Sequence, residues 1–141
     1  MEESQGGVRV RAGNPLSGID VDMADCPDAV PALAAVAVFA DTPTHMRNVA
    51  HLRYKESDRL SAIAEELRKI GAGAIVDDGG LQIRPAPLHG GLMRTHNDHR
   101  LAMSFSLIGL RVPGVMIENP GCVVKSFPRF WEEFERLRGG S

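Results

Sequence analysis

An α/β fold turned inside out, with apolar helices at the centre and sheets outside, is predicted by three observations. Ala29–Ala40 and Leu101–Leu110 are apolar nearly all round, as helices buried on every side must be. Val8-Arg9-Val10-Arg11 and Leu81-Gln82-Ile83-Arg84 alternate, which gives each sheet one wet face. The order β-α-β-α-β-β from Gly18 to Pro85 restarts as strand, helix, strand near Met93, an internal repeat of roughly 65 to 75 residues. A doubly wound sheet would reverse both burial patterns, with buried strands and half-exposed helices.

Each element has a local reason. Val8–Arg11 is the first strand, stopped by Gly13; it reads as the end strand of a preceding unit, so the chain is expected to be cut from something larger. Gly18–Met23 alternates as the second strand. Pro27 and Asp28 open a helix through Ala29, Leu33, Val36 and Phe39, with Asp28 as N-cap or first-turn acid. Pro31 falls in the first turn, where its missing N–H costs little. Thr44–Val49 is a strand. Ser57–Ile70 is a helix with Ser57 as N-cap, an apolar face of Leu60, Ile63, Leu67 and Ile70, and an i,i+4 pair of Glu65 with Lys69. Gly71 and Gly73 end it. Ala74–Val76 and Leu81–Arg84 form a hairpin around Asp77-Asp78-Gly79-Gly80. A helix over about His99 to Leu110 precedes the strand Val115–Glu118. The last helix, Pro128–Leu137, carries Phe127, Phe130, Trp131, Phe134 and Leu137 on one stripe, whose aromatic part from Phe127 to Phe134 reads as core rather than as a stacking platform. Gly139-Gly140-Ser141 is expected to fray.

Bulk properties narrow the function. The 141 residues can bury a real core and make one domain or a piece of one. Sixteen Lys and Arg against 18 Asp and Glu leave a net charge of −2, which argues against a general nucleic-acid or acidic-membrane binder. The cations are instead clustered, as in Arg47, Arg53, Lys55, Arg59, Arg94, Arg100 and Lys125, which describes a site rather than a basic surface. Cys26 and Cys122 lack metal or redox spacing and read as two reduced cytosolic thiols. Met1–Gly7 has no apolar core for a signal peptide, and Ala29–Ala40 is too short to span a bilayer.

Two polar runs carry the chemistry. Lys55-Glu56-Ser57-Asp58-Arg59 and Asn97-Asp98-His99-Arg100 each sit where a loop gives way to a helix, so each brings cations, carboxylates and free N–H groups to an anion-binding terminus. The first run also reads as a plain solvated helix start. Against that, Lys55 and Arg59 are cations where a purely structural sequence favours acids. Glu56 beside them is suited to proton exchange with a bound substrate. In the second run Asn97 or Asp98 is a good N-cap, and Arg100, opening an otherwise apolar helix, can fork a carboxylate. His96, Asp98 and His99 offer metal-ligand atoms without a matching spacing. Lys125, in a further loop-to-helix position, is either a solvated lysine or a third anion contact. A multi-anionic small molecule is the ligand these runs suggest.

Lys55-Glu56-Ser57-Asp58-Arg59, Asn97-Asp98-His99-Arg100-Leu101-Ala102-Met103 and Lys125-Ser126-Phe127-Pro128, in this order and spacing, resemble the C-terminal part of the 5-enolpyruvylshikimate-3-phosphate synthase family. Asp20-Val21-Asp22-Met23 with Pro27-Asp28-Ala29 fits the same family, and the resemblance runs from about Gly18 to Leu137. The sister family that acts on UDP-N-acetylglucosamine shares the fold without these motifs. The resemblance implies an enolpyruvyl transferase-like fold of two inside-out domains, each of three β-α-β-α-β-β units. Residues 1–141 would be the C-terminal part of the C-terminal domain, with one unit at about 18–86 and a partial second at about 87–138.

The implied reaction joins phosphoenolpyruvate to the 5-hydroxyl of shikimate 3-phosphate through a tetrahedral intermediate, releasing phosphate, in the shikimate pathway of aromatic amino-acid biosynthesis. It needs no metal or organic cofactor, and implies a cytoplasmic enzyme without nucleic-acid or membrane partners. By position, Asp28 would accept the hydroxyl proton, Lys55 would touch that hydroxyl and share the proton traffic, and Glu56 would protonate the methylene of phosphoenolpyruvate. Arg59 and Arg100 would hold its carboxylate, with Lys125 toward its phosphate and His99 nearby. His51 replaces the Asn that contacts the shikimate phosphate in many members. The family's N-terminal domain, which binds most of shikimate 3-phosphate, has no counterpart in residues 1–141, so the isolated chain is expected to be inactive. The rival reading is a non-catalytic anion-binding or interaction domain derived from this fold, which needs Arg59, Arg100 and Lys125 but neither Asp28 nor Glu56.

Overall fold

The computed structural model describes residues 2–11, 13 and 15–139. The chain opens with an antiparallel hairpin, β1 (Glu2–Ser4) and β2 (Gly7–Arg9). A four-stranded sheet follows, built from β3 (Asp20–Asp22), β4 (Thr44–Arg47), β5 (Gly73–Val76) and β6 (Leu81–Arg84) in the order β3-β4-β6-β5. Helix α1 (Val30–Ala37) crosses between the parallel strands β3 and β4, and α2 (Arg59–Lys69) leads from β4 to the β5–β6 hairpin. The β-α-β theme then recurs: α3 (His99–Ile108) crosses between the parallel strands β7 (Gly91–Met93) and β8 (Val115–Ile117). Helix α4 (Phe130–Arg138) ends the described chain.

The inside-out prediction holds. Helix α1 packs against α3 and, more lightly, against α2, with β5 and β7 laid on α2, β8 on α3 and β6 on α1. One core runs through Met46, Leu60, Ile63, Leu67, Ile83, Met93, Leu101 and Phe105, which are all but fully buried. Strands β4 and β6 alternate buried with half-buried or exposed residues, the one-wet-face pattern expected of them. The turn between β5 and β6 is tied by Asp77, whose Oδ1 accepts from the N–H of Gly79 (3.1 Å) and Gly80 (2.7 Å). Gly71 closes α2 at φ +100°, with Gly71 N–H donating to the Arg68 carbonyl and Ala72 N–H to that of Leu67, a Schellman ending that favours glycine.

Several local expectations are corrected. The strand expected at Val8–Arg11 lies at Gly7–Arg9, and its partner β1 was not foreseen, because Glu2-Glu3-Ser4 has no apolar alternation to signal it. Asp28 caps nothing with its side chain; a short 3-10 turn, Pro27–Ala29, precedes α1 and leaves that carboxylate to reach elsewhere. Helix α1 is not buried all round, since Ala32 and Val36 face solvent. The N-cap of α2 is Asp58, accepting from Ser61 N–H at 3.2 Å, rather than Ser57. Lys69 pairs with Glu66 at i,i+3 and 2.6 Å, not with Glu65, because Glu66 points inward to where the lysine can follow it. The stripe of α4 is not core: Phe130, Trp131 and Phe134 are half-buried and pack edge-on and stacked against one another, Phe127 and Leu137 are exposed, and no residue of this helix is fully buried. The expected fraying at Gly140 and Ser141 lies outside the described residues.

Candidate functional site

The two polar runs meet. With Asp58 capping α2, Arg59 becomes its first helical residue and turns inward, where it is only 1% exposed. Its Nε donates to Asp98 Oδ2 at 2.7 Å and its NH2 to Asp98 Oδ1 at 3.4 Å, a forked contact between the starts of α2 and α3. Asp98 is fully buried; it accepts Ser57 Oγ–H at 3.0 Å and caps α3 by accepting Arg100 N–H at 3.0 Å. The outer edge of the same guanidinium faces two half-exposed carboxylates: NH1 donates to Asp28 Oδ1 at 3.1 Å, and NH2 to Glu56. Arg100 reaches Asp28 Oδ2 at 3.3 Å. Five charged side chains from three parts of the chain, with Ser57 beside them, thus form one hub.

Burial and charge oppose each other in this hub. Burial pushes the Asp98 carboxyl up, but Arg59, Ser57 and the Arg100 N–H outweigh it and hold its pKa below the ordinary 3.8. Burial pulls the Arg59 guanidinium down, while Asp98, Glu56 and Asp28 raise its pKa above the ordinary value. Both groups stay charged, and the pair is the kind whose loss of one partner costs about 3–5 kcal/mol.

An open cleft of about 790 Å³ lies beside the hub, lined by Glu56, Asn97, His99, Asn119, Cys122 and Lys125 among others. Its rim is built from unusual backbone. His96 (φ 52°), Asn97 (φ 55°) and Asn119 (φ 51°) are all left-handed, and Asn119 Nδ2 donates to Asn97 Oδ1 at 3.3 Å. Such residues cost on the order of 1–3 kcal/mol each and concentrate where a site must be shaped. Asp28 and Arg100 line a smaller recess of about 220 Å³ with Met103 and Phe130.

The structure therefore brings Asp28, Glu56, Arg59 and Arg100 into one network, and places Glu56, His99 and Lys125 on one cleft. His51 and Lys55 are exposed in and just after the 3-10 turn Ala50–Tyr54, and neither side chain makes a hydrogen bond or ion pair among the described residues. His96 and Asp98, weighed together as metal-ligand types, engage different partners, Glu66 at 3.0 Å and Arg59. Sequence reasoning ranked Asp98 as a cap and missed it as the hub's anchor; its place inside the second polar run was the available signal. Asn119 gave none beyond standing before Pro120.

Comparison with known proteins bears on this geometry. The profile of the EPSP synthase (3-phosphoshikimate 1-carboxyvinyltransferase) family matches residues 1–134. A 3-phosphoshikimate 1-carboxyvinyltransferase from Methanoculleus marisnigri is 51% identical over 125 residues, covering 89% of this chain and 30% of that protein. Among solved structures, an EPSP synthase from Acinetobacter baumannii superimposes with a TM-score of 0.79 at 35% identity, covering 86% of this chain and 30% of that one. The enolpyruvyl transferase NikO from Streptomyces tendae does so with a TM-score of 0.71 at 25% identity, covering 89% and 29%. The chain spans about 30% of the length of the curated relatives it matches.

Proposed function

This chain belongs to the EPSP synthase family, and we propose that its cleft and hub form the phosphoenolpyruvate-facing wall of a 3-phosphoshikimate 1-carboxyvinyltransferase. The complete enzyme would transfer the enolpyruvyl group to the 5-hydroxyl of shikimate 3-phosphate in the cytoplasm, within aromatic amino-acid biosynthesis. Residues 1–141 are its C-terminal part, and most contacts to shikimate 3-phosphate come from outside them. The observation that carries this reading is that Glu56, His99 and Lys125 share one cleft while Glu56 is tied to the buried Arg59.

The hub gives the reading a physical form. Asp98 fixes the inner edge of Arg59, so its outer edge is preorganised for a carboxylate. The substrate carboxylate takes the place of Asp28 and Glu56 on NH1 and NH2, with Arg100 closing on it from the α3 side. That exchange frees the two acids for proton transfer. The 5-hydroxyl oxygen bonds to C2 of phosphoenolpyruvate, its proton passes to Asp28 with Lys55 against the same oxygen, and Glu56 protonates C3. Proton balance then requires one methyl proton to return to the deprotonated Glu56 as the C2–O bond to phosphate breaks, while the proton held on Asp28 leaves with the departing phosphate. Lys125 and His99 face the departing phosphate, and His51 the phosphate of shikimate.

The test is reconstitution. The chain is mixed with the complementary N-terminal segment of the Methanoculleus relative, and phosphate release is followed with both substrates present. Activity that requires both pieces and disappears in Glu56→Gln is the expected result. Full turnover by the isolated chain, or an active Glu56→Gln, overturns the assignment.

A further inference from the structure

Seven residues beyond Arg59, two turns further along α2, lies a second buried charge that the proposed chemistry does not use. Glu66 is fully buried. Its Oε1 accepts Lys69 Nζ–H at 2.6 Å and Arg94 N–H at 2.7 Å, and its Oε2 meets His96 Nε2 at 3.0 Å. Burial pushes this carboxyl up, but Lys69, the Arg94 N–H and His96 together hold its pKa below the ordinary 4.5. An ionised carboxylate only accepts, so the proton of this imidazole sits on Nε2. Glu65, Glu66 and His96 could bring ligand atoms within 4.8 Å of one another. The ammonium of Lys69 on Oε1 already fills that charge, so the cluster is an anchor rather than a cation site.

What it anchors is the loop between β7 and α3. Helix α2 grips this loop at two points, with Glu66 on Arg94 and His96 and with Arg59 on Asp98. Between the grips lie His96 and Asn97, both left-handed, and Asn97 and His99 line the cleft. Two consecutive non-glycine residues in that conformation persist only where their surroundings over-determine them. We propose that Glu66 is a positioning residue of the cleft, holding the Arg94–Asp98 loop in its left-handed course so that Asn97 and His99 face the ligand. Its consequence for ligand binding rests on the phosphoenolpyruvate reading above; its hold on the loop does not.

Amide hydrogen exchange and a phosphoenolpyruvate titration followed by amide NMR shifts, both on the full 141-residue chain, separate the two. Glu66→Gln should speed exchange at Asn97, Asp98 and His99 by about tenfold or more relative to Ile63 in the α2 core. It should also weaken phosphoenolpyruvate binding by about three- to tenfold. Glu65→Gln changes the neighbouring, solvent-facing carboxylate of α2, which does not touch the loop, and should leave both readouts near wild type. Should Glu66→Gln fail to fold, His96→Ala releases one grip and is expected to give the same local pattern at smaller amplitude. Exchange that rises equally in the loop and in α2, or loop exchange that does not rise at all, overturns the proposal. If the wild-type chain shows no shift with phosphoenolpyruvate, the binding reading fails for this chain, and the exchange data alone decide the role of Glu66.

Discussion

Glu56–Arg59 and Glu133–Arg136 are the same pair at the same spacing, three residues apart, yet they belong to different physical regimes. At the start of α2 the guanidinium is 1% exposed and also holds a fully buried aspartate. On α4 the arginine is 74% exposed and the glutamate 41%, and similar pairs, Arg129–Glu132 and Arg138–Glu135, decorate the same helix. Exposed pairs gain little, because water screens them and two long side chains must be ordered. In the hub, desolvation raises the stakes of the buried Arg59–Asp98 pair, and loss of Asp98 leaves a bare buried charge. Local sequence sets the pair; depth sets what it is for.

The sharpest way to break this contrast is Asp98→Ala, which strips Arg59 of its buried partner and α3 of its cap. A loss of about 3–5 kcal/mol in denaturant unfolding is expected; a loss below about 1 kcal/mol, the surface-pair range, would erase the distinction between the two regions. Glu56→Gln asks whether the outer edge of the hub serves chemistry rather than stability. Its half-exposed carboxylate predicts an unfolding midpoint close to wild type, with turnover in the reconstituted enzyme reduced by about 10²–10⁴-fold. A variant as active as wild type would make Glu56 an ordinary ion-pair partner.

Acid titration sharpens the comparison further. Asp98 and Glu66 both have folded pKa values below their ordinary 3.8 and 4.5. The folded state therefore binds fewer protons than the unfolded one. Their stabilisation is complete above those ordinary values and is lost as pH falls through the lowered folded ones. Stability should thus decline below about pH 4, and Asp98→Asn should flatten part of that decline; an unchanged slope in the variant would remove Asp98 from the account. The smallest effect belongs to α4. Arg136→Ala should change unfolding by less than about 0.5 kcal/mol, and still less at high salt, whereas a loss above about 1 kcal/mol would show that the helix is coupled to the core.

The same division explains what was legible. Helix α2 was readable from Leu60, Ile63, Leu67 and Ile70, and its end from Gly71, because period and punctuation are local. The buried helices and half-wet strands were readable because composition on each face reports what covers it. The α4 stripe shows the limit of that logic: Phe130, Trp131 and Phe134 have the spacing of a core face but are only half covered, since packing depends on what lies opposite. Ser57 has the chemistry of a cap, but its hydroxyl is turned to Asp98 and Asp58 takes that role.

By itself, then, the sequence determined the inside-out arrangement, the order of the repeat and the two polar runs at helix starts, all of which follow from patterns within a few turns of chain. Only the tertiary structure decided that Arg59 is buried and fixed on its inner edge, that Asp98 is its counter-charge, and that Glu66 bonds to the loop beside the cleft. Arg59 and Asp98 stand 39 residues apart, and Glu66 and His96 stand 30. Burial and pairing across such separations arise from how α2 meets the loop that leads into α3, and no local pattern encodes them.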